Sequence, residues 1–410
     1  MYLVVHRATQ QIGGNCIEIG AAGTRLILDV GRPLDAPREA TGLLPASLDL
    51  SAPTAALLIS HPHQDHYGLL AETPEHWPVY SGSMAGRLMA LTAGIFGVAP
   101  KRDYRSWEGG KAVEIGPFRV TALLTDHSAF DAYMLLVEAE GRKVLYSGDF
   151  RVHGRKARLV HDLMQKPPAD LDALLLEGTN LGTNKPTLSE ADLEDSFCEL
   201  FRATKGRVFV CWSAQNVDRT VTLYRACLKT GRTLVVDLYT AEVLEMLASA
   251  GRIPQPGWSN VKVMITRAFA RLYKRKGREN FVDRMARHGI SAAAIAGEHE
   301  SWVVMIRPSL VRDLQSKGVT PTRDDAWSFS QWRGYLQQPD GAALKAWFDQ
   351  GGAQAVHIHT SGHASTNDLQ AFATAMHAKR LIPIHGVNWD TTSSRFENIV
   401  RLGDGQRLEL

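Results

Sequence analysis

The chain has 410 residues, of which 44% are hydrophobic and 22% are charged, and its net charge is +3. The composition excludes intrinsic disorder, the length favours two structural units, and the mild positive charge suits an anionic substrate without naming one. No apolar run approaches the roughly 20 residues that span a bilayer, and no signal peptide begins the chain, so we expect a cytoplasmic protein without a membrane partner.

The first part of the chain reads as short strands with tight connections and one helix. Glu140 and Gly141 join two of the strands and predict a hairpin turn. Apart from Asp172, the last strand of this part is apolar, as expected of a strand buried on both faces. The predicted strands are Tyr2–His6, Asn15–Ile19, Arg25–Val30, Ala55–Ser60, Phe118–Leu124, Tyr133–Ala139, Lys143–Ser147 and Leu171–Leu176, and the predicted helix is Ser83–Ile95.

After Asn180 the pattern changes to an alternation of helices and strands. Ser189, with Asp192 three residues later, predicts a capped helix start, and Thr240 predicts another. Alternation at this spacing is typical of βαβ units and favours a parallel sheet. The predicted elements are helix Leu193–Ala203, strand Arg207–Trp212, helix Asp218–Lys229, strand Thr233–Leu238, helix Ala241–Ala250 and strand Val261–Ile265.

The last stretch of the chain returns to the first pattern. It contains a predicted strand Ala355–His359, a helix Thr366–His377 and a strand Arg380–Ile384. If these residues rejoin the first unit, the middle of the chain is an insertion. We therefore predict a discontinuous outer domain of residues 1–187 and 351–410 and an inserted domain of residues 188–350.

Three histidines and an aspartate follow the predicted strand Ala55–Ser60 directly. His61, His63, Asp65 and His66 stand within six residues of one another. Imidazole nitrogens and carboxylate oxygens are good zinc donors, and alternate residues of an extended chain point the same way, so His61 and His63 can reach one ion. Asp65 and His66 come after the bend and can face a second ion. Such crowding has little packing benefit, so the cluster predicts a metal site.

Later strand ends carry further candidate ligands. His127, Asp149 and His385 each stand just past an apolar strand, and the last two have a glycine beside them. Two zinc ions need about eight donors, counting a shared water. Taken in this order after the first cluster, the three residues predict that one centre collects ligands from the whole chain.

The order His-x-His-x-Asp-His, a lone His, Gly-Asp and a final strand-end His resembles the metallo-β-lactamase superfamily. The resemblance implies an α/β fold, an αββα sandwich with metal ions at one edge of its two sheets. It implies two zinc ions per chain, the first held by three histidines and the second by an aspartate and two histidines. Under this resemblance the ligands are His61, His63 and His127 for the first ion, Asp65, His66 and His385 for the second, Asp149 as the bridge, and Asp29 as the residue that supports the metal loop from behind.

Three further motifs resemble the β-CASP nuclease subfamily. Leu174–Asn180 resembles the acidic motif that opens the subfamily, Ser361–Ser365 its second motif and Ile382–Gly386 its third. The resemblance covers essentially the whole chain and implies an inserted β-CASP domain, containing a parallel sheet, between the first two motifs. Members of this kind include ribonuclease J and mRNA 3′-end processing exonucleases.

Two residues refine the resemblance. A histidine in the third motif, here His385, is the form associated with RNA, whereas DNA-directed members often have valine. The amino-acid sequence of the second motif resembles that of ribonuclease J most. Gly178, however, stands where ribonuclease J usually has serine.

The resemblance implies hydrolysis of phosphodiester bonds in nucleic acid, RNA above all, by exonucleolytic or endonucleolytic cleavage. Asp65 is expected to orient or deprotonate the attacking water, and His363 to donate a hydrogen bond or proton at the scissile phosphate. Glu177 is expected to orient a neighbouring imidazole. Because the second motif precedes a predicted helix, phosphate contacts are expected there. The expected contact residues are Ser361, Gly362, Ala364 and Ser365.

The segment Thr266–His288 is strongly basic. It holds eight Lys or Arg against two acidic residues, with Phe269, Tyr273 and Phe281 interleaved. Cations can neutralise phosphates and exposed aromatic rings can stack on bases. The alternative is a solvated helix face with its aromatic side chains in the core. The cations expected to bind substrate are Lys274, Arg275 and Lys276.

Two alternatives to a ribonuclease stay open. One is a metallo-hydrolase that acts on DNA or on a small phosphodiester, and the other is a silent nucleic-acid-binding scaffold. A complete set of seven candidate ligands argues against the scaffold. The expected partner is RNA or another single-stranded nucleic acid. A homodimer, the direction of cleavage and sequence preference stay open.

Overall fold

The computed structural model describes residues 1–37, 39–97, 102–183, 187–297 and 299–410. The chain divides into two units, the first being Met1–Pro186 with Gly362–Leu410 and the second Thr187–Ser361. The division differs from the predicted limits at residues 351–361. The reason is that Gln354–Ala355, placed in the outer domain by the sequence pattern, pairs in parallel with Ala326–Phe329 of the second unit.

The strands are numbered in chain order. The first eleven belong to the first unit and are β1 (Tyr2–Arg7), β2 (Cys16–Ala21), β3 (Thr24–Leu28), β4 (Thr54–Leu58), β5 (Val79–Ser81), β6 (Tyr104–Ser106), β7 (Ala112–Ile115), β8 (Phe118–Leu124), β9 (Tyr133–Ala139), β10 (Arg142–Tyr146) and β11 (Ala173–Leu176). Those of the second unit are β12 (Val208–Cys211), β13 (Thr233–Asp237), β14 (Val261–Met264), β15 (Trp302–Met305), β16 (Ala326–Phe329) and β17 (Gln354–Ala355). The last two return to the first unit as β18 (Leu381–Pro383) and β19 (Arg407–Glu409).

The α-helices are numbered in the same way. Those before the second unit are α1 (Gln64–Tyr67), α2 (Ser83–Phe96) and α3 (Ala157–Gln165). The second unit contains α4 (Glu190–Ala203), α5 (Val217–Thr230), α6 (Leu238–Met246), α7 (Arg267–Arg275), α8 (Glu279–Ala286), α9 (Ala292–Gly297), α10 (Pro308–Gln315) and α11 (Pro339–Gly351). The last two are α12 (Thr366–Met376) and α13 (Trp389–Thr392).

The first unit is an αββα sandwich, as predicted. Among the described residues its two sheets have the strand orders β19-β1-β2-β3-β4-β5-β6 and β18-β11-β10-β9-β8-β7. Inward-facing side chains of both sheets, such as Leu26 and Leu135, form one buried cluster. The outer face of the first sheet packs against Met89 of α2, and that of the second against Phe372 of α12. Because alternate side chains of a strand face opposite ways, these strands are buried on both sides.

The strand directions bring the carboxyl ends of several strands to one edge of the sandwich. In the second sheet β10, β11 and β18 are parallel, and β8 has the same direction because β9 is antiparallel to both of its neighbours. In the first sheet β3 and β4 are parallel. The residues that follow these strands therefore meet at one edge, which is where the candidate ligands stand.

The second unit is built on a parallel sheet with the strand order β14-β13-β15-β12-β16-β17 in the part of the chain that the structure describes. This agrees with the predicted βαβ alternation. One predicted cap is wrong: α6 begins at Leu238, and the Asp237 side chain accepts a hydrogen bond from the Thr240 amide at 2.8 Å. Asp237 is therefore the N-cap, because its side chain satisfies an amide of the first turn, whereas Thr240 already lies inside the helix.

Within the described ranges, none of the helices combines the length and the apolar character that crossing a bilayer requires.

Candidate metal centre

The structure brings together seven side chains predicted to be ligands from four loops of the first unit. Each loop follows the carboxyl end of a strand: β4, β8, β10 and β18 lead to His61, His127, Asp149 and His385 respectively. Asp65 and His66 lie on α1, a short helix that begins directly after His63. Convergence of residues far apart in the chain is therefore a consequence of the shared strand direction.

Three histidines form the first group. Candidate donor nitrogens of His61, His63 and His127 all lie within 4.8 Å of one another, and His127 Nε2 is 3.2 Å from His63 Nδ1. Their rings meet edge to face, with centroids 4.7 to 5.0 Å apart. Nitrogen lone pairs crowded in this way suit a single cation at the common point.

The second group contains Asp65, His66, Asp149 and His385, again with donor atoms within 4.8 Å. Asp149 Oδ2 is 3.1 Å from His66 Nε2 and 3.7 Å from both His385 Nε2 and His61 Nε2. The carboxylate of Asp149 thus touches both groups, which is the placement expected of a bridge between two cations.

Unsatisfied atoms and charge show that this donor set fits a divalent cation. His61 Nε2, His385 Nε2 and Asp149 Oδ1 are buried without a hydrogen-bond partner. Buried polar atoms are nearly always satisfied, so these three atoms call for a ligand. Burial lowers the pKa of His61 and His127 well below its ordinary value, and it lowers the pKa of His63 and His385 too, which leaves neutral donors.

The electrostatics of His66 and Asp149 are linked. Burial alone would lower the pKa of His66, but Asp149 and Asp29 outweigh it and raise that pKa well above the ordinary value. Burial alone would raise the pKa of Asp149, but His385, His66 and His363 hold it well below. The negative charge that holds a proton on His66 equally favours a metal ion at that point.

Asp29 fixes the loop that carries the histidines. Its Oδ1 accepts a hydrogen bond from the Ser60 amide at 2.8 Å. Its Oδ2 accepts three more, from Ser60 Oγ at 2.7 Å, from His66 Nδ1 at 2.7 Å and from Tyr146 at 2.6 Å. Ser60 Oγ in turn lies 3.1 Å from His61 Nδ1. With Nδ1 occupied, both histidines present Nε2 to the centre.

Asn15 fixes the ring of His385 through its Nδ1, as Asp29 does for His66. Its Oδ1 accepts the proton of His385 Nδ1 at 2.7 Å, and its amide donates to the Tyr146 hydroxyl at 2.9 Å. The Gly13 amide also lies 3.3 Å from His385 Nδ1, but the shorter contact to Asn15 places the proton on that nitrogen. The backbone of both Asp29 and His385 is left-handed, with φ of 58° and 48°. Such conformations are uncommon outside glycine and are found at sites held by their surroundings.

Glu177 and His363 form a third group with Asp149. His363 Nδ1 lies 3.0 Å from Glu177 Oε2 and 3.8 Å from Asp149 Oδ2. Burial alone would lower the pKa of His363, but the carboxylates of Glu177 and then Asp149 raise it to about 9. Glu177 itself accepts the Phe150 amide at 2.9 Å. Glu177 is thus placed to fix the orientation of the His363 imidazole.

The His127 loop is tied to the Asp149 loop by a buried ion pair that the sequence did not indicate. The Asp126 carboxylate accepts hydrogen bonds from Arg151 Nε at 3.3 Å and from the Gly154 amide at 2.7 Å. The side chains of Asp126 and Arg151 are both fully buried. His127 Nδ1 donates to the Gly362 carbonyl at 2.6 Å. These contacts set the direction in which His127 Nε2 points.

Gly178, the departure from the ribonuclease J pattern, has a local cause. A Cβ at this position would lie 2.3 Å from Trp389 Nε1 and 2.8 Å from Leu181 Cδ1. The indole of Trp389 occupies the space that a serine would need, and it donates to the Ile384 carbonyl at 3.1 Å. The Gly178 amide also donates to the His385 carbonyl at 3.1 Å, so the glycine packs directly under a candidate ligand.

The residues predicted to contact substrate are spread over both units. Ala364 is fully buried in the core beside α12, and its amide donates to the Phe150 carbonyl at 2.6 Å, so its role here is packing. Ser365 caps α12 in a reciprocal pair with Asp368. Ser361 is the last residue of the second unit, and Gly362 the first to return to the first unit.

The basic segment keeps its cations exposed but not its aromatic rings. Lys274, Arg275 and Lys276 are exposed at the end of α7 and just after it. The interleaved rings are buried, contrary to the suggestion that they stack on bases, because they form the inner face of α7 and α8. They are Phe269, Tyr273 and Phe281.

Sequence reasoning missed Asn15, Tyr146, Asp126 and Arg151. Asp126 stands directly beside His127 but was given no role, and Tyr146 reads simply as the end of a buried strand. A buried polar side chain at the carboxyl end of a strand is a weak signal, since its partners come from other strands. Only the fold shows that these four residues hold the ligands.

Models of two protein families match the chain. The model of the metallo-β-lactamase superfamily matches residues 10–187, and that of a Zn-dependent metallo-hydrolase RNA specificity domain matches residues 352–392. The first contains six of the seven candidate ligands, and the second contains His363 and His385.

Relatives agree with these matches at low identity. The ribonuclease J of Helicobacter pylori (strain 26695) is 22% identical over 404 residues, which cover 92% of this chain and 54% of that protein. The ribonuclease J of Mycoplasma genitalium is 20% identical over 405 residues, 92% of this chain and 66% of that protein. The chain thus spans about half of the first relative's length.

A solved structure shares the fold over the full length. It is a protein of unknown function from Enterococcus faecalis V583, with a TM-score of 0.79 and 16% identity, covering 100% of this chain and 99% of that one. The sandwich, the ligand geometry, the family models and the relatives agree with one another. The chain therefore contains a metallo-β-lactamase domain and a segment similar to the RNA specificity domain of Zn-dependent metallo-hydrolases, and it resembles ribonuclease J over 92% of its length.

Proposed function

We propose that this protein is a ribonuclease that uses two zinc ions to hydrolyse phosphodiester bonds of RNA. The observation that carries the proposal is the position of Asp149, whose carboxylate touches both groups of candidate ligands while one of its oxygens is buried and unsatisfied. His61, His63 and His127 would hold one ion, and Asp65, His66 and His385 the other. The nitrogen-rich donor set favours zinc over magnesium or calcium, which prefer oxygen.

The residues around the ions then have distinct tasks. When bound, the ions supply Lewis acidity that activates water and neutralises phosphoryl charge. Asp65 is partly exposed, with 15% of its side chain accessible, so it can also orient the attacking water. His363 is protonated at neutral pH because of Glu177 and Asp149, and it can donate a proton to the leaving oxygen. Glu177 accepts a hydrogen bond from His363 Nδ1 at 3.0 Å and so fixes the orientation of the imidazole.

RNA is favoured over DNA by the histidine in the third motif and by the names of the relatives. A cleavage assay on 5′-labelled RNAs that carry a monophosphate or a triphosphate tests this. Mononucleotides released from monophosphorylated ends would indicate an exonuclease, and internal fragments an endonuclease. Faster cleavage of DNA of the same sequence would reject the ribonuclease assignment in favour of a DNA-directed enzyme.

The matched control is Asp65→Ala. It should abolish cleavage, by about 100-fold or more, and lower the zinc content measured by mass spectrometry from two ions per chain towards one. Activity that survives this change would remove the proposed mechanism. A wild-type zinc content near zero would favour the silent nucleic-acid-binding scaffold instead.

A further inference from the structure

The outer face of α7 carries a row of four exposed cations. Its members are spaced three or four residues apart along the helix, except for the last two, which are adjacent, and all of them are exposed. They are Arg267, Arg271, Lys274 and Arg275. Residues at such spacings share one face of a helix. Among the described residues none of the four forms an ion pair, whereas the nearby Arg278 pairs with Glu242.

This arrangement opposes the stability of the helix itself. Like charges three or four residues apart repel, and Arg267 stands in the first turn, where the helix dipole disfavours a cation. The helix is held instead by its inner face, where Phe269 and Tyr273 are buried, and by the Thr266 cap. α7 itself contains no acidic residue, and Asp313, which accepts a hydrogen bond from the Ala268 amide at 2.9 Å, forms no ion pair with the four cations among the described residues. The outer face is therefore available to an anionic partner.

We infer that this face binds the phosphate backbone of a single-stranded nucleic acid, and the inference rests on the proposed function. The row spans about 12 Å along the helix axis, which matches about three or four phosphates of a stacked strand. Because the aromatic rings are buried, bases cannot stack on them here. The contact is therefore expected to depend on the phosphate charge and not on the nucleotide sequence. An anionic membrane surface presents similar charge but is the weaker fit, since α7 exposes no large apolar side chain for insertion.

The test compares two double variants in binding to a fluorescein-labelled single-stranded RNA with phosphorothioate linkages, measured by anisotropy at several salt concentrations. The first, Arg271→Gln with Arg275→Gln, removes the middle of the row. The slope of log K against log salt should become shallower by about 1.4, which is 0.7 for each cation removed. Weakening should be equal for RNAs of different sequence.

The control is Arg225→Gln with Lys345→Gln, two exposed helical cations that already pair with Glu194 and Asp349. It should leave the slope unchanged. An α7 variant with the wild-type slope would overturn the inference, and so would loss of binding to phosphatidylserine vesicles without loss of RNA binding.

Hydrolysis of bis(p-nitrophenyl) phosphate separates this inference from the proposed function. This small diester needs the metal centre alone, so its hydrolysis by the wild-type protein tests the proposed function without involving α7. If the wild-type protein does not hydrolyse any diester, the proposed function fails while the RNA-binding slope still decides the role of α7.

Discussion

Asn15 accepts the Nδ1 proton of His385 at 2.7 Å while its own amide donates to Tyr146. Since the Tyr146 hydroxyl donates to Asp29, and Asp29 also accepts from His66, one chain of hydrogen bonds joins two candidate ligands of the second ion. All five side chains are buried. The chain fixes both imidazoles with Nε2 towards Asp149, so the affinity for the second ion should depend on its middle members.

Tyr146→Phe should test that dependence. The change removes one hydroxyl and leaves the ring, so Asp29 and Asn15 each lose a partner without loss of packing. We expect the affinity for the second zinc ion to fall by about 10- to 100-fold, as measured by competition with a chelating dye. Cleavage at saturating zinc should recover most of the wild-type rate.

Tyr2→Phe is the matched control, because Tyr2 donates to Glu18 at 2.7 Å in the same sandwich but away from the ligands. It should lower stability by about 1 kcal/mol and leave zinc affinity unchanged. Equal zinc affinities for the two variants would mean that the chain of hydrogen bonds does not support the site.

The stability of the second unit should depend on pH through His359. Burial lowers the pKa of His359 to about 3, and Arg219 and His357 lower it further, while Ser330 and Glu190 act weakly in the other direction. Above the ordinary value of 6.5 both states are neutral. As the pH falls from there, the unfolded chain takes up a proton that the folded chain refuses, so stability decreases by about 1.4 kcal/mol per pH unit.

His359→Asn should therefore keep about 2 kcal/mol more of its neutral-pH stability than the wild type at about pH 5. Urea unfolding of the zinc-loaded proteins at both pH values measures this difference. His161→Asn, which replaces an exposed histidine on α3, serves as the control. An identical loss of stability in His359→Asn and the wild type would contradict the prediction.

Removal of two equivalent helix caps should distinguish an effect on stability from an effect on catalysis. Ser365 on α12 and Ser189 on α4 each form a capping box with an aspartate three residues later. Ser365→Ala and Ser189→Ala should each lower the free energy of unfolding by about 1 kcal/mol. Only Ser365→Ala should lower kcat/KM, by about tenfold, because α12 begins three residues after His363 and misplacement of that imidazole slows the reaction. Equal kcat/KM values for both variants would show that His363 is held by Glu177 alone.

Gly178→Ser should destabilise the protein although serine is usual at this position in ribonuclease J. The new side chain would overlap the indole of Trp389, and overpacking of this kind lowers the free energy of unfolding by about 1–3 kcal/mol. Gly94→Ser on α2, where a Cβ meets nothing within 4 Å, should stay within about 0.5 kcal/mol of the wild type. Thermal denaturation of both variants checks the difference, and a Gly178→Ser protein as stable as Gly94→Ser would exclude the overlap.

Periodicity predicted much of the fold because local patterns decide local structure. The hairpin at Glu140 and Gly141 forms with both residues at positive φ, as its turn type requires. Short strands such as β5 and β6 were missed, since three residues give too little alternation to read. The strand predicted at Ala355–His359 is shorter and joins the second unit, because pairing with β16 is a tertiary contact that its own sequence does not encode.

The sequence by itself determined which side chains can bind metal, since donor chemistry is a property of residue type and the crowded His61–His66 segment has no other evident use. Only the tertiary structure decided that Asp149 lies between the two groups of ligands and that His363 contacts Glu177. It also decided that Asn15 and Tyr146 hold the imidazoles in place. These relationships join residues from different strands of two sheets, and their distances follow from strand direction and register, which no local pattern records. The same reason explains the basic segment, where composition showed the charge but only packing showed which face of α7 meets solvent.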